Sequence, residues 1–296
     1  MAEAIAVYHQ RIHSIIDPDT KLEKLADGAK HTEGPVYVPE DDSVIFSDVS
    51  GNKLFRWNAT DGLSVIREPS YYQNGNYRDL QGRLVACSHG QRAIIRREHN
   101  EEWVILCDRY QNNRLNSPND LIVKSDGTIW FSDPPFGLTQ PKEGFGGKQE
   151  QAGSFVFRFD PNTKKIDAVI KEMERPNGLA FSPDESILYV SDTSQVDYAQ
   201  GHHYIRAYDL IGEKEVANSR VFAVIEPGQP DGLKVDKQGN IFTSSADSVQ
   251  VYATDGTRLG KIFVPEVVWN LTFGGKDDRR LFITAGKSLY AIDLKK

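Results

Sequence analysis

One outline is written several times along this chain, and the repetition constrains the fold more than any single residue does. Its clearest copy runs from Asn116 to Pro134, Asn-Ser-Pro-Asn-Asp-Leu-Ile-Val-Lys-Ser-Asp-Gly-Thr-Ile-Trp-Phe-Ser-Asp-Pro. A polar loop ending at Asn119 leads into alternating Leu121 and Val123. A turn at Ser125-Asp126-Gly127 follows, then a second short strand from Thr128 to Phe131, which together read as a β-hairpin. The outline returns behind Glu33 (Glu-Gly-Pro-Val), Asn177 (Pro-Asn-Gly-Leu), Asp231 (Pro-Asp-Gly-Leu) and Asn270 (Trp-Asn-Leu), and less closely behind Asn74. Starts at 33, 74, 119, 177, 231 and 270 are 41, 45, 58, 54 and 39 residues apart. That is the spacing of four-stranded propeller blades. The reading is therefore an all-β, six-bladed β-propeller, one closed domain over residues 1–296 with no linker to divide it.

Closure needs a further strand, because only 26 residues follow Asn270. Lys21 to Leu25 is the candidate, pairing with the C-terminal hairpins and removing the open edges. Residues 1 to 20 read as a short amphipathic helix or arm, with Ile12, Ile15 and Ile16 at helical spacing before Pro18 stops it. Phe155 to Phe159, Ile205 to Tyr208 and Val249 to Tyr252 fit third strands of their blades. Between Pro134 and Gly153 five glycines and three prolines exclude a regular strand. This long loop is expected to overhang the channel mouth as a rim or lid.

Composition enters mainly by exclusion. The net charge of −7 comes without clustered Lys and Arg, which argues against a nucleic-acid partner. No apolar run approaches membrane-spanning length, and the N-terminus lacks a basic stretch followed by a long apolar core, so a cytoplasmic protein with no membrane partner is expected. Cys87 and Cys107 belong to no metal-ligand spacing and read as free thiols, a disulfide between adjacent strands being left open. Monomer and homodimer are both compatible with the chain.

In a propeller the innermost strands converge on a central channel, so residues repeated at their termini become neighbours. Glu33, Asn119, Asn177 and Asp231 then present oxygen donors, two of them carboxylates and none a thiolate. That set suits one divalent cation, Ca²⁺ or Mg²⁺ before Zn²⁺, with Mn²⁺ possible. Turn chemistry alone would explain Asn and Asp at such places. It does not explain Glu33. His89 falls where other copies have Asp48, Asp133 and Asp192, which suggests a pocket position.

These residues resemble the gluconolactonase / senescence marker protein (regucalcin) family, which includes the luciferin-regenerating enzyme. The likeness runs from about Leu22 to Ile292 and is carried by Glu33-Gly-Pro, Asn177-Gly-Leu and Asp231-Gly-Leu. Asn116-Ser-Pro-Asn-Asp with Phe131-Ser-Asp-Pro-Pro-Phe-Gly is similar to the bacterial and fungal gluconolactonase branch, as are Asn74-Gly-Asn76 and His89-Gly. The animal branch has an arginine where this chain has Ser117. The resemblance implies a calcium-dependent lactonase opening a sugar lactone, with Glu33, Asn177 and Asp231 on the ion and Asn119 completing its shell or binding substrate. On chemical grounds either Asp231 acts as general base beside the ion, with His89 a second candidate that hydrogen-bonds the leaving hydroxyl, or the ion itself lowers the pKa of its water; Asn119 is expected as a second catalytic residue, and Asn74, Asn76, His89 and Asn119 near the sugar. The fold alone would equally permit a calcium-dependent phosphotriesterase-like hydrolase or a binding platform without catalysis.

Overall fold

In Ser43–Asp48 and Ile129–Asp133 every residue is buried, polar and apolar alike. Strands buried on both faces must stand between two neighbours, and a ring of sheets supplies them without leaving an end sheet uncovered. The computed structural model, which describes residues 4–295, has that arrangement. It is a six-bladed β-propeller.

From the channel outward the first blade is Thr32–Val38, Ser43–Asp48, Lys53–Asn58 and Gly62–Arg67; the second Gln73–Arg78, Leu84–Ser88, Ala93–Arg97 and Trp103–Cys107. The third is Leu121–Val123, Ile129–Asp133, Phe155–Asp160 and Lys165–Ile170; the fourth Pro176–Phe181, Ile187–Asp192, Tyr204–Ile211 and Glu215–Val224. The fifth is Leu233–Val235, Ile241–Ser244, Ser248–Tyr252 and Arg258–Phe263, and the sixth Val268–Gly274, Arg280–Ala285 and Ser288–Asp293. All pairings are antiparallel, and first strands of successive blades touch around the channel.

The apolar core is divided among the spaces between blades. Phe131 and Phe157 of the third blade pack on Val85 and Ile94 of the second, while Trp130 and Val156, facing the other way, pack on Leu188 and Val190 of the fourth. Alternation along a strand thus feeds two cores at once. The ring closes where Phe282 and Leu289 of the sixth blade meet Val44 and Phe46 of the first.

Closure by an N-terminal strand is present, at Glu23–Ala26 rather than Lys21 to Leu25. It pairs with Ser288–Asp293, Glu23 opposite Ala291 and Lys24 opposite Tyr290. Of the two expectations for residues 1–20, a short helix or an arm, the described residues form an arm. Ile5–Val7 adds a fifth strand beside Arg258–Phe263, because a short apolar run lies next to an unpaired edge, and among the arm's described residues only the 3₁₀ turn Gln10–Ser14 is helical. Residues 1–3 of that arm lie outside the described residues. Ile12, Ile15 and Ile16 are buried between the fifth and sixth blades. Cys87 and Cys107 are both free, and Ile94 on the strand between them faces each, which excludes an adjacent-strand bond.

Deleting residues 1–27 would strip the outer edge of Ser288–Asp293 and uncover one inter-blade core. A lower melting midpoint and self-association on size-exclusion chromatography are expected; a monodisperse protein with an unchanged midpoint would contradict this account of closure.

Candidate active site

Neighbouring blades are joined at the channel by backbone hydrogen bonds. Gly75 N–H donates to Asn119 O at 2.8 Å, Gly178 N–H to Asp231 O at 3.1 Å, and Gly232 N–H to Trp269 O at 2.8 Å. A Cβ at Gly34, Gly75 or Gly178 would overlap backbone of the next blade, and Gly34 also has φ of +48°. The glycines at 34, 75, 178 and 232, each following a channel residue, therefore permit close approach of inner strands. They are not the residues of tight turns.

The repeated aspartates have their own task. Asp48 Oδ1 accepts from the N–H groups of Lys30 (3.0 Å), His31 (2.9 Å) and Gly51 (3.0 Å). Asp133 Oδ2 accepts from Asn116 N–H at 2.8 Å, and Asp192 accepts from Glu174, Arg175 and Ser194. Each carboxylate holds the segment that enters an inner strand, and so positions Glu33, Asn119 and Asn177. His89 shares their place but does something else. Its Nδ1–H donates to Glu143 O at 2.9 Å, which leaves Nε2 to accept from Asn74 Nδ2 at 3.3 Å. Asn74 is thereby oriented with its Oδ1 buried and without a partner.

Glu33, Asn74, Asn119, Asn177 and Asp231 are all buried, or nearly so for Asp231. Glu33 Oε2 accepts from Gly34 N–H (2.7 Å) and Asn270 Nδ2 (3.1 Å). Asn177 Oδ1 and Asp231 Oδ1 are buried with no hydrogen-bond partner. Burial, followed by the charge of Asp120, raises the Glu33 carboxyl above its ordinary range. The Asp231 carboxyl is raised too, by burial first and then by Glu33, Asp120 and Glu143. Like charges are gathered here, and among the described residues the cation paired with them is Lys234, whose Nζ stands 4.0 Å from Asp120. Among the described residues no cluster of three or more His, Cys, Asp or Glu is arranged as a metal cage. A cation at Glu33 and Asp231 would need an amide oxygen, and Asn177 Oδ1 is the unpartnered one beside them.

The chain matches the family model described as "SMP-30/Gluconolactonase/LRE-like region" over residues 31–287. It belongs to that family. A gluconolactonase of Zymomonas mobilis is 32% identical to it, covering 98% of this chain and 86% of that protein. A solved gluconolactonase structure from Xanthomonas campestris superposes with a TM-score of 0.92 at 37% identity, covering 98% of this chain and 94% of that one. A calcium-binding protein, regucalcin, from Agrobacterium tumefaciens shares the fold at 17% identity, with a TM-score of 0.76 over 93% of this chain and 95% of that one.

In this family member two positions depart from the sequence reading. Asn270 does not take the sixth channel place. Trp269 does, since Gly232 bonds to Trp269 O as Gly178 bonds to Asp231 O, and Asn270 stands where Gly34 and Gly178 stand in their blades. Its amide bridges Glu33 Oε2 and Asp120 Oδ2, at 3.1 and 3.2 Å. Asn76 offers no free group. Its Nδ2 donates to Gly34 O, Ser47 Oγ and Asn74 O and its Oδ1 accepts from Gln73, so it ties the first two blades together.

Two residues at the site were not singled out from sequence. Asp120, 2% exposed, stands in a glycine place, and the polar exception there was its signal. Glu143 comes from the 134–153 loop, whose short helix Phe136–Thr139 is buried against His89 and Ser117. The loop brings the Glu143 carboxylate to 3.8 Å from His31 Nδ1, and burial pushes it up to about 7. A cavity of about 1290 Å³, lined by Val36, Tyr77, Lys234 and Thr272 among others, opens further along the same inner strands and contains none of Glu33, Asn177 or Asp231. It is the far end of the channel. Among the described residues no helix is long and apolar enough to cross a membrane.

Burial lowers the imidazoles of His31 and His89 from 6.5 to about 4. Between those values the unfolded chain binds more protons than the folded one, so their contribution to stability is complete above pH 6.5 and is lost as pH falls towards 4. His89→Gln should flatten the acid limb of a plot of urea midpoint against pH. An identical limb would show that His89 titrates normally.

Proposed function

We propose that the chain opens a five- or six-membered sugar lactone to its aldonic acid, with a divalent cation, calcium first, held by Glu33, Asn177 and Asp231. The hydrolytic class rests on membership of the family and on its likeness to gluconolactonases at 32% and 37% identity. The observation that carries the cation is the pair of buried, unpartnered oxygens, Asn177 Oδ1 and Asp231 Oδ1, beside a second carboxylate. An orphaned buried acceptor costs about 1–3 kcal/mol, more when charged. Several together are accounted for by a ligand that accepts them all. The donors are hard oxygens, with both cysteines elsewhere in the second blade, which favours Ca²⁺, then Mg²⁺ or Mn²⁺, over Zn²⁺. The calcium-binding regucalcin that shares the fold supports the same choice.

When bound, such an ion supplies positive charge for the oxyanion of the tetrahedral intermediate. The chain's residues do the rest. Asp231 takes the proton of the attacking water on its free oxygen. Asn119, whose backbone is committed to Ser132 O and Gly75 N–H, holds the lactone with its side chain. Asn74, set by His89, binds a substrate hydroxyl through Oδ1. The 134–153 loop covers this mouth of the channel. Amide and imidazole groups around the carboxylates favour a polyhydroxylated ring over the apolar substituents of a phosphotriester.

Chelation should abolish lactone opening above the spontaneous rate and lower the melting midpoint, since an ion at 100 times its Kd adds about 2.7 kcal/mol. Calcium should restore both; full activity in metal-free protein would refute the cation. Asp231→Asn keeps an oxygen ligand but loses its basicity, so kcat should fall about 10²- to 10⁴-fold with the ion still bound. An unchanged kcat would remove Asp231 as base.

A further inference from the structure

Five of the six channel places hold a polar, oxygen-bearing side chain, and the sixth holds Trp269. Neither metal binding nor packing between blades accounts for that exception. Trp130, at 0% exposure, is a core residue, whereas Trp269 is only partly buried and contributes to none of the inter-blade cores. By blade order it lies between Asp231 and Glu33 and across the channel from Asn119. The imidazole of His31 stands edge-on to it, ring centroids 4.9 Å apart. His31 Nε2 is buried without a hydrogen-bond partner, and the Glu143 carboxylate faces the other nitrogen at 3.8 Å. A carboxylate on that side favours the tautomer protonated at Nδ1, which leaves Nε2 an acceptor. One wall of the site is therefore aromatic with a single hydrogen-bond acceptor at its edge, and the facing wall is built of amides.

A sugar lactone has matching asymmetry. Its ring presents C–H groups on its faces and hydroxyls around its rim. Resting on the reading of the chain as a sugar lactonase, we propose that Trp269 is the platform on which the lactone ring lies, with His31 Nε2 accepting from a ring hydroxyl, and that this pair selects polyhydroxylated lactones over unsubstituted ones. Aromatic side chains give large contact area at low entropic cost, and a polar group placed beside them fixes orientation. A site built to hydrogen-bond a hydroxyl discriminates strongly against the analogue lacking it.

The test compares gluconolactone with δ-valerolactone, an unsubstituted lactone, in calcium-loaded enzyme. Trp269→Ala should raise KM for gluconolactone about tenfold or more while changing kcat/KM for δ-valerolactone less than about threefold. Trp269→Phe should recover part of the loss, and His31→Phe should lose the preference for the sugar lactone without losing the opening of δ-valerolactone. A second readout is independent of turnover: titration with gluconate should change the intrinsic fluorescence of the wild type, and Trp269→Phe should abolish that change. Melting curves and calcium titrations of the variants establish that each is folded and holds its ion. Equal losses on both lactones, an unchanged KM for gluconolactone in Trp269→Ala, or a fluorescence response that survives in Trp269→Phe would overturn the inference. Failure of the wild type itself to open gluconolactone would instead overturn the reading on which it rests.

Discussion

The structure depends on how closely the innermost strands approach one another. Inner strands reach across to the next blade with a backbone hydrogen bond, and the donors at Gly75, Gly178 and Gly232 have no room for a Cβ. At Gly75 the obstacle includes the Asp120 carboxylate, and at Gly232 it is the Asn270 side chain. Glycine in one blade thus makes space for the polar group of the next. A substitution there would push blades apart at the axis, where the ring has no slack, and overlap with backbone is not relieved by a change of rotamer.

Close approach also creates the chemistry. Glu33, Asp120 and Asp231 are held within mutual influence in a dry place, and burial with like-charge repulsion raises the carboxyls of Glu33 and Asp231. The Asn270 amide offsets part of this by bridging Glu33 and Asp120. Folding therefore spends stability from six apolar inter-blade layers to assemble a charge cluster that is unfavourable by itself. Such arrangements mark functional sites, and the cation proposed for this one would meet its electrostatic demand.

Much of the fold was legible because a propeller repeats its sequence with its structure. Glu33, Asn119, Asn177 and Asp231 keep register with the buried hairpins behind them, so pattern and position coincide. The sixth blade misled for an identifiable reason. Asn270 looks like the polar channel residue, but the leucines of Asn177-Gly-Leu179, Asp231-Gly-Leu233 and Trp269-Asn-Leu271 align, and that alignment places Trp269 in the channel. A one-residue slip exchanges the residue in the channel for its neighbour. Ile5–Val7 was hidden because three residues carry little periodicity, and its pairing is decided by the free edge of Arg258–Phe263. Glu143 sits in a glycine- and proline-rich loop with no repeat to index it, so only tertiary packing on His89 reveals where it points. Asn76 shows the converse: its type suggested substrate, while its partners had already claimed every polar atom.

We propose that Glu33, Asn177 and Asp231 are brought together to hold one divalent ion. Anomalous diffraction from crystals of the protein loaded with Mn²⁺ in place of calcium tests it most directly. A single strong peak in the channel, in contact with oxygens of all three residues, is expected. A peak at another site, or a channel without one at saturating metal, would contradict it.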